Sequence, residues 1–199
     1  MSPYDQFNED GAERLRYEFP LTAESRVIDA GAFTGEWSAR IAEKFGCHIE
    51  AFEPIRKYAE VYRQRMNGFR SRMHVCALSD RDGAAEIVVD QEASSIVWGR
   101  VGRDIIPVET VEASRYFEEL GLPDIDLMKV NIEGAEYALM EHLIATGWIP
   151  RIRSLLIQWH RFLPEYEARY EGIRAGLEAT HRLLWDYPWV WQAWERIEA

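Results

Sequence analysis

The chain reads as an α/β fold, a mostly parallel sheet with helices on both faces, and three stretches dictate that reading. Each is a short apolar strand that ends in a turn and passes into an amphipathic helix. They are residues 27–37 (VIDAGAFTGEW), residues 48–66, and residues 125–145, which open with IDLMKVNIEGAE. Open α/β sheets bind ligands beyond the carboxyl ends of their strands, so the same three turns locate the candidate site.

In the first stretch, Val27, Ile28 and Ala30 suit a strand covered on both faces, while Gly31 and Gly35 lack a Cβ and let backbone and ligand approach closely. Gly35 opens a helix in which Trp37, Ile41, Ala42 and Phe45 share one face, so the free N–H groups at its start point toward the turn. Asp29, at the carboxyl end of the strand, is expected to offer its carboxylate to the crevice. The pattern D-x-G-x-x-x-G differs from the dinucleotide fingerprint G-x-G-x-x-G, which rests a pyrophosphate on the helix N-terminus. A carboxylate ahead of the turn repels pyrophosphate and suits a cationic ligand. S-adenosylmethionine carries a sulfonium, an ammonium and one carboxylate, and no phosphate. A nicotinamide-dependent oxidoreductase would use the same crevice but needs the glycine this turn lacks.

In the second stretch, a strand at His48–Phe52 ends at Glu53 and Pro54. That is about 20 residues beyond the first glycine, where an acidic side chain can accept both hydroxyls of a ribose. Pro54 stops the strand and can begin the helix over 55–66. A carboxylate favoured by the helix dipole is the plainer role for Glu53, and the neighbouring glycine turn makes ribose binding the better one.

Residues 72–78 read as a third strand, closed by the turn 79–83 (SDRDG). AAEIVVD and IIPVETV then flank a polar link, SSIVWGRVG, so residues 84–111 are expected to form a hairpin-like insertion beside the crevice. A helix follows over 112–120, with Tyr116, Phe117 and Leu120 as its apolar side. In the third stretch, Gly134 marks the turn into a helix whose stripe is Ala138, Leu139, Leu143 and Ile144, which leaves Asn131 and Glu133 on the rim. Residues 152–159 form a further strand ending at His160 on the same rim, before a helix over 164–180 and two aromatic-rich strands, HRLLWDYP and VWQAWERI. At the other end, residues 1–11 are polar and expected to be loosely held, and residues 12–19 suit a short helix. The whole is read as one domain over 1–199, with 1–20 as an N-terminal extension.

A net charge of −11 argues against a nucleic-acid partner, since such binding rests on a basic surface. Arg63, Arg65, Arg70 and Arg72 are explained by a solvated helix face and its following turn. Cys47 and Cys76 show neither metal-ligand spacing nor a disulfide framework, which points to a reducing compartment. With no signal-peptide pattern and no apolar run of bilayer-spanning length, a cytoplasmic protein without membrane partners is the expectation. Of the eight tryptophans, Trp98 and Trp159 are placed to stack on a flat acceptor or sugar. Trp185, Trp189, Trp191 and Trp194 suit core packing or a homodimer contact through the last two strands.

For chemistry on a hydroxyl, His160 is the candidate base, since imidazole titrates near neutrality; hydrogen bonding to backbone is its plainer alternative. Glu133 can orient an acceptor or take its proton, or serve structurally at the helix start, and Asn131 can hold a hydroxyl without acting as a base. The spacing of these three matches no metal motif, so no metal is expected.

The succession VIDAGAFTG, AFEP, HVCALSDRDG, IPVETV, DLMKVNIEGAE and SLLIQWH resembles the FkbM-type family of S-adenosylmethionine-dependent methyltransferases. The likeness spans residues 25–160, and its most diagnostic run is K-x-x-x-E-G-x-E, from Lys129 to Glu136. The resemblance implies a Rossmann-like class I methyltransferase fold, with seven strands of which one near the C-terminus is antiparallel. It also implies methyl transfer to a hydroxyl of a small molecule or glycan. It places Asp29, Gly31 and Gly35 around the methionine part of the cofactor and Glu53 on its ribose, with Ala32, Phe33 and Pro54 also among the cofactor-binding residues. Ala77, Leu78 and Ser79, with Asp80, would lie beside the adenine. Two positions depart from the family: Asn131 stands where an aspartate is common and Gln158 where an acidic residue is common. Both remove a carboxylate from the rim, which keeps a non-catalytic cofactor-binding relative among the readings.

Overall fold

The computed structural model describes residues 1–89, 94–95, 104–161 and 164–198. Its strands are β1 (Arg26–Ala30), β2 (His48–Phe52), β3 (Ser71–His74), β4 (Ala77–Ser79), β5 (Gly83–Val89), β6 (Ser94–Ser95), β7 (Asp104–Glu112), β8 (Ile125–Val130), β9 (Ile152–Ile157), β10 (His181–Tyr187) and β11 (Trp191–Arg196). Its helices are α1 (Pro3–Glu9), α2 (Glu36–Phe45), α3 (Arg56–Arg65), α4 (Ala113–Glu119), α5 (Glu136–Ala145) and α6 (Tyr166–Glu178). Among these residues a seven-stranded sheet runs β10-β11-β9-β8-β1-β2-β3, parallel except for β11, as the α/β reading requires. The strand order reverses between β1 and β8, the switch point at which open sheets bind ligands.

Each face of the sheet buries one apolar cluster. Ile28, Met128 and Val130 point into the cluster that α4, α5 and α6 cover through Phe117, Tyr137, Leu139 and Ile173. Val27 and Leu127 point the other way, against Phe7 of α1, Trp37 and Ile41 of α2 and Tyr62 of α3. The C-terminal aromatics are shared between the two, Trp194 in the first and Trp191 in the second.

Two expectations need correction. Residues 72–78 are not one strand. β3 ends at His74 on the edge of the main sheet, and after Val75 and Cys76 the chain leaves it to pair as β4 with β7. β7 also pairs antiparallel with β5, so the segment read as a hairpin joins a separate four-stranded sheet, β4-β7-β5-β6. Ile87 and Val108 of this sheet pack on Ile55 at the start of α3, which stands it beside the carboxyl end of β2. The link around Trp98 lies outside the described residues.

The N-terminus is not loosely held. Ser2 caps α1 through a capping box with Asp5, Pro3 occupies the first turn, and Phe7 is buried edge-on against Tyr187 with ring centroids 5.2 Å apart. Tyr187 Oη donates to Asp10 at 2.9 Å. Polarity along the first residues concealed one buried aromatic and a cap, which together suffice to dock a two-turn helix.

At the switch point backbone meets backbone. A Cβ on Gly31 would lie 1.9 Å from the Asn131 carbonyl oxygen, and Gly31 has φ +76°. Gly31→Ala is therefore expected to cost more than about 3 kcal/mol through clash and strain. Urea unfolding of that variant, compared with an alanine at the uncrowded Gly172, checks it.

Candidate active site

Asp29 and Lys129 are register partners on β1 and β8, and their side chains turn to the α2 face of the sheet. Lys129 Nζ donates to Asp29 Oδ1 at 2.8 Å and to the Gly31 carbonyl at 2.7 Å, while Ser38 of α2 donates to Asp29 Oδ2 at 2.6 Å. Asp29 is fully buried. The expectation that its carboxylate faces the crevice is corrected here: both oxygens are occupied inside the protein and the charge is matched by an ammonium. Lys129 could have been noticed in the sequence, because a lysine within an otherwise apolar strand needs a buried partner.

Glu53 follows β2 at its carboxyl end, next to the glycine turn. It is 6 % exposed, with Oε2 accepting the Phe33 N–H at 3.0 Å and Oε1 the Ile55 N–H at 2.8 Å. Burial pushes its carboxyl up to about 7, against the pull of those two N–H groups and of the Lys129 charge. Each oxygen keeps a second lone pair, so the side chain can still accept from two further donors. Pro54 is half-buried beside it. Phe33 is exposed at φ +49° and packs on Tyr58 with centroids 4.4 Å apart, whereas Ala32 turns into the core. Gly35, at φ +84°, makes room for the Tyr62 ring, which a Cβ would approach to 2.7 Å. Both glycines of the turn thus accommodate the protein's own atoms.

Ala77 and Leu78 are buried in β4, Leu78 within the core cluster that holds Phe52 and Val111. Ser79 donates to Asp80 at 3.0 Å. Between these residues and Glu53 lies His74, stacked on Phe52 at 4.7 Å and hydrogen-bonded to Glu50 and Tyr116.

On the other side of the switch point, Asn131 Oδ1 is buried without a hydrogen-bond partner among the described residues. An orphaned buried acceptor costs about 1–3 kcal/mol, which a donor arriving with a ligand would relieve. Two residues on, Glu133 is held at φ +53° and ion-pairs with His160, Oε2 to Nε2 at 3.3 Å. The other ring nitrogen meets Glu136 Oε1 at 3.1 Å, and the same carboxylate accepts the N–H groups of His160 and Gly134, each at 2.7 Å. Burial disfavours the charged ring, but hydrogen bonds and charges from Glu133 and Glu136 outweigh it and hold His160 at about 9. The ring expected as a general base is thus held between two carboxylates that favour its charged form. Glu136, fully buried at the start of α5, anchors it. In the sequence, Glu136 stands out only as the last residue of the K-x-x-x-E-G-x-E run. Gln158 follows β9 directly, its N–H on the Val130 carbonyl at 3.0 Å. Among the described residues no group of three or more His, Cys, Asp or Glu side chains is arranged to hold a metal.

The profile of the methyltransferase FkbM domain matches residues 29–182. The chain belongs to the FkbM methyltransferase family. Solved structures share the FkbM chain's fold at low identity. An rRNA methylase from Streptococcus thermophilus superimposes with a TM-score of 0.54 at 13% identity, over 89% of this chain and 90% of its own. A precorrin-6y C5,15-methyltransferase from Geobacter metallireducens gives 0.50 at 11%, over 94% and 87%. The StiE O-methyltransferase segment gives 0.51 at 13%, over 88% of this chain and 52% of its own. No curated protein sequence matches significantly. Class I methyltransferases of this kind imply S-adenosylmethionine as donor, and the open lone pairs of Glu53 and the orphaned Asn131 oxygen fit a ligand rich in hydroxyl and ammonium donors.

Two outcomes follow from the buried charges. Lys129→Ala leaves Asp29 uncompensated and is expected to lower stability by about 3–5 kcal/mol in urea unfolding. Because the folded-state pKa of His160 is raised from 6.5 to about 9, its contribution is complete below pH 6.5 and lost as pH rises through 9. That loss is on the order of 3 kcal/mol. His160→Gln should abolish it, read as the difference in unfolding free energy between pH 6 and pH 10.

Proposed function

We propose that the chain transfers a methyl group from S-adenosylmethionine to a hydroxyl oxygen of a small molecule or saccharide. The observation that carries this reading is the desolvated Glu53, tied through the Phe33 N–H to the glycine turn and keeping lone pairs for a ribose. The donor supplies an activated methyl on its sulfonium. In-line displacement needs little chemistry from the protein beyond holding the acceptor oxygen on the methyl axis and removing its proton. Asn131 would accept from the ammonium of the donor or from the acceptor. Glu133, the partly exposed carboxylate of the rim, would take the acceptor proton, and His160 and Glu136 would act through it as positioning residues.

The net charge of −11 supports a small acceptor over an RNA, although several of the structural neighbours are rRNA methylases. A nicotinamide enzyme is disfavoured because the turn closes on Asn131 and Tyr62 and leaves no glycine cradle for a pyrophosphate.

Calorimetric titration tests the donor. S-adenosylmethionine and its demethylated product are expected to bind and NAD not to bind, with Glu53→Gln weakening the donor about 10–100-fold. Wild-type affinity should also fall about tenfold from pH 8 to pH 6 as Glu53 takes up its proton near 7, and the Gln variant should show no such fall. Once an acceptor turns over, Glu133→Gln should lower kcat about 10²–10⁴-fold with donor affinity retained. Donor binding without transfer to any acceptor would instead favour the non-catalytic relative.

A further inference from the structure

A second cleft adjoins the rim, and its lining differs in charge from the rest of the molecule. It measures about 440 Å³ and lies between α1 with the 3-10 turn Ala12–Tyr17 on one side and the turn joining β10 to β11 on the other. Gln158 belongs to both places: it lines the cleft, and its N–H on the Val130 carbonyl sets it beside Asn131 at the end of β8. The trunk of this wall is rigid, since α1 is docked through Phe7 and Tyr187 and the Trp37 indole donates to the Arg16 carbonyl at 3.0 Å.

Two guanidinium groups lie over two indoles here. Arg16 Cζ is 4.3 Å from the Trp191 ring centroid and Arg161 Cζ is 5.7 Å from that of Trp189. Stacking on indole presents the edges of a guanidinium to a ligand while its face is satisfied. Arg16 is partly committed, with Nη1 on the Glu13 carboxylate at 2.7 and 2.9 Å, but its Nε is buried with no acceptor among the described residues. Glu13 is the one carboxylate among the described lining residues and is engaged by Arg16, so those residues carry net positive charge in a chain of net charge −11. A local positive field on a molecule of net negative charge selects an anion at this cleft and repels the cations that the rest of the surface attracts.

Resting on the methyltransferase reading above, we infer that this cleft is the acceptor subsite and that it takes a ring-shaped hydroxy acid. The ring packs against Trp189 and the carboxylate pairs with the Arg161 and Arg16 guanidinium groups, which leaves a ring hydroxyl toward Gln158 and the rim. A volume of about 440 Å³ accommodates a monosaccharide or a single aromatic ring with substituents. The shared chemistry is a carboxylate on a hydroxylated ring, whether the ring is a sugar acid or an aromatic acid.

The test uses the full chain saturated with S-adenosylhomocysteine, whose binding is measured first by calorimetry. Failure at that step removes the methyltransferase reading itself. With the cosubstrate bound, D-glucuronate is compared with methyl glucoside, and 3,4-dihydroxybenzoate with catechol, by saturation-transfer NMR titration. The sugar arm and the aromatic arm distinguish the two ring types. In at least one arm the acid is expected to bind at least tenfold more tightly than its neutral counterpart, with the preference shrinking as salt is raised. Arg161→Ala, a change at an exposed side chain, and Arg16→Gln should each reduce that preference severalfold, with S-adenosylhomocysteine affinity reporting that the fold is intact. Equal binding of acid and neutral rings in both arms, no binding of either, or a preference unchanged in Arg161→Ala would overturn the inference.

Discussion

The buried pair of Asp29 and Lys129 is the constraint on which the site depends. It joins the two central strands at the point where their order reverses, and the lysine continues to the Gly31 carbonyl, so a single ammonium ties the strand ends and the first turn together. Ser38 completes the shell from α2. Such a pair is weak evidence for stability, because desolvating two charges offsets most of their attraction, but removing either partner is costly. Its contribution is geometric. With the β1–β8 register held, Asn131 packs directly on Gly31, and the two turns that face each other across the switch point have one arrangement.

The consequence for chemistry is a division of labour among carboxylates. Asp29 is neutralised and structural, so the negative character of the crevice comes from Glu53 on one side and Glu133 on the other. Their surroundings differ: Glu53 is desolvated and held by backbone donors, and Glu133 faces an imidazolium that Glu136 keeps charged. Unlike environments for two acids on one rim are how a single pocket can bind a ribose with one and move a proton with the other. Two of the four non-glycine residues at positive φ among the described residues lie at the same place. Phe33 and Glu133 are both non-glycine residues at positive φ, one in each of the turns that flank the switch point. Residues held in this region cost about 1–3 kcal/mol each, and they persist where surrounding contacts over-determine them.

Much of this was legible in the residues because it follows from local pattern. Apolar strands followed by glycine turns gave the parallel sheet, and the strand end before Pro54 placed Glu53 beside the first glycine turn. What sequence could not reveal is which way a polar side chain turns once strands are paired. Asp29 and His160 both sit at strand ends, yet the partners that decide their roles lie far away in the chain, at Lys129 for the first and at Glu133 and Glu136 for the second. The division of residues 71–79 between two sheets was equally hidden, since it depends on β7 arriving beside β4. Lys129 and Glu136 were visible as charges in apolar surroundings, a signal that asks for a partner without naming it.

The docked N-terminal helix and the β10–β11 turn wall the cleft proposed for the acceptor, and Gln158 in its lining follows β9 beside the end of β8, so under that proposal donor and acceptor would meet across Gln158. The most direct measurement is a crystal structure of the chain with S-adenosylhomocysteine. Ribose hydroxyls on the Glu53 carboxylate and the ammonium within reach of Asn131 Oδ1, with the Asp29–Lys129 pair intact, is the expected result. A ligand held by an Asp29 freed from Lys129, or lodged away from the Gly31 turn, would contradict it.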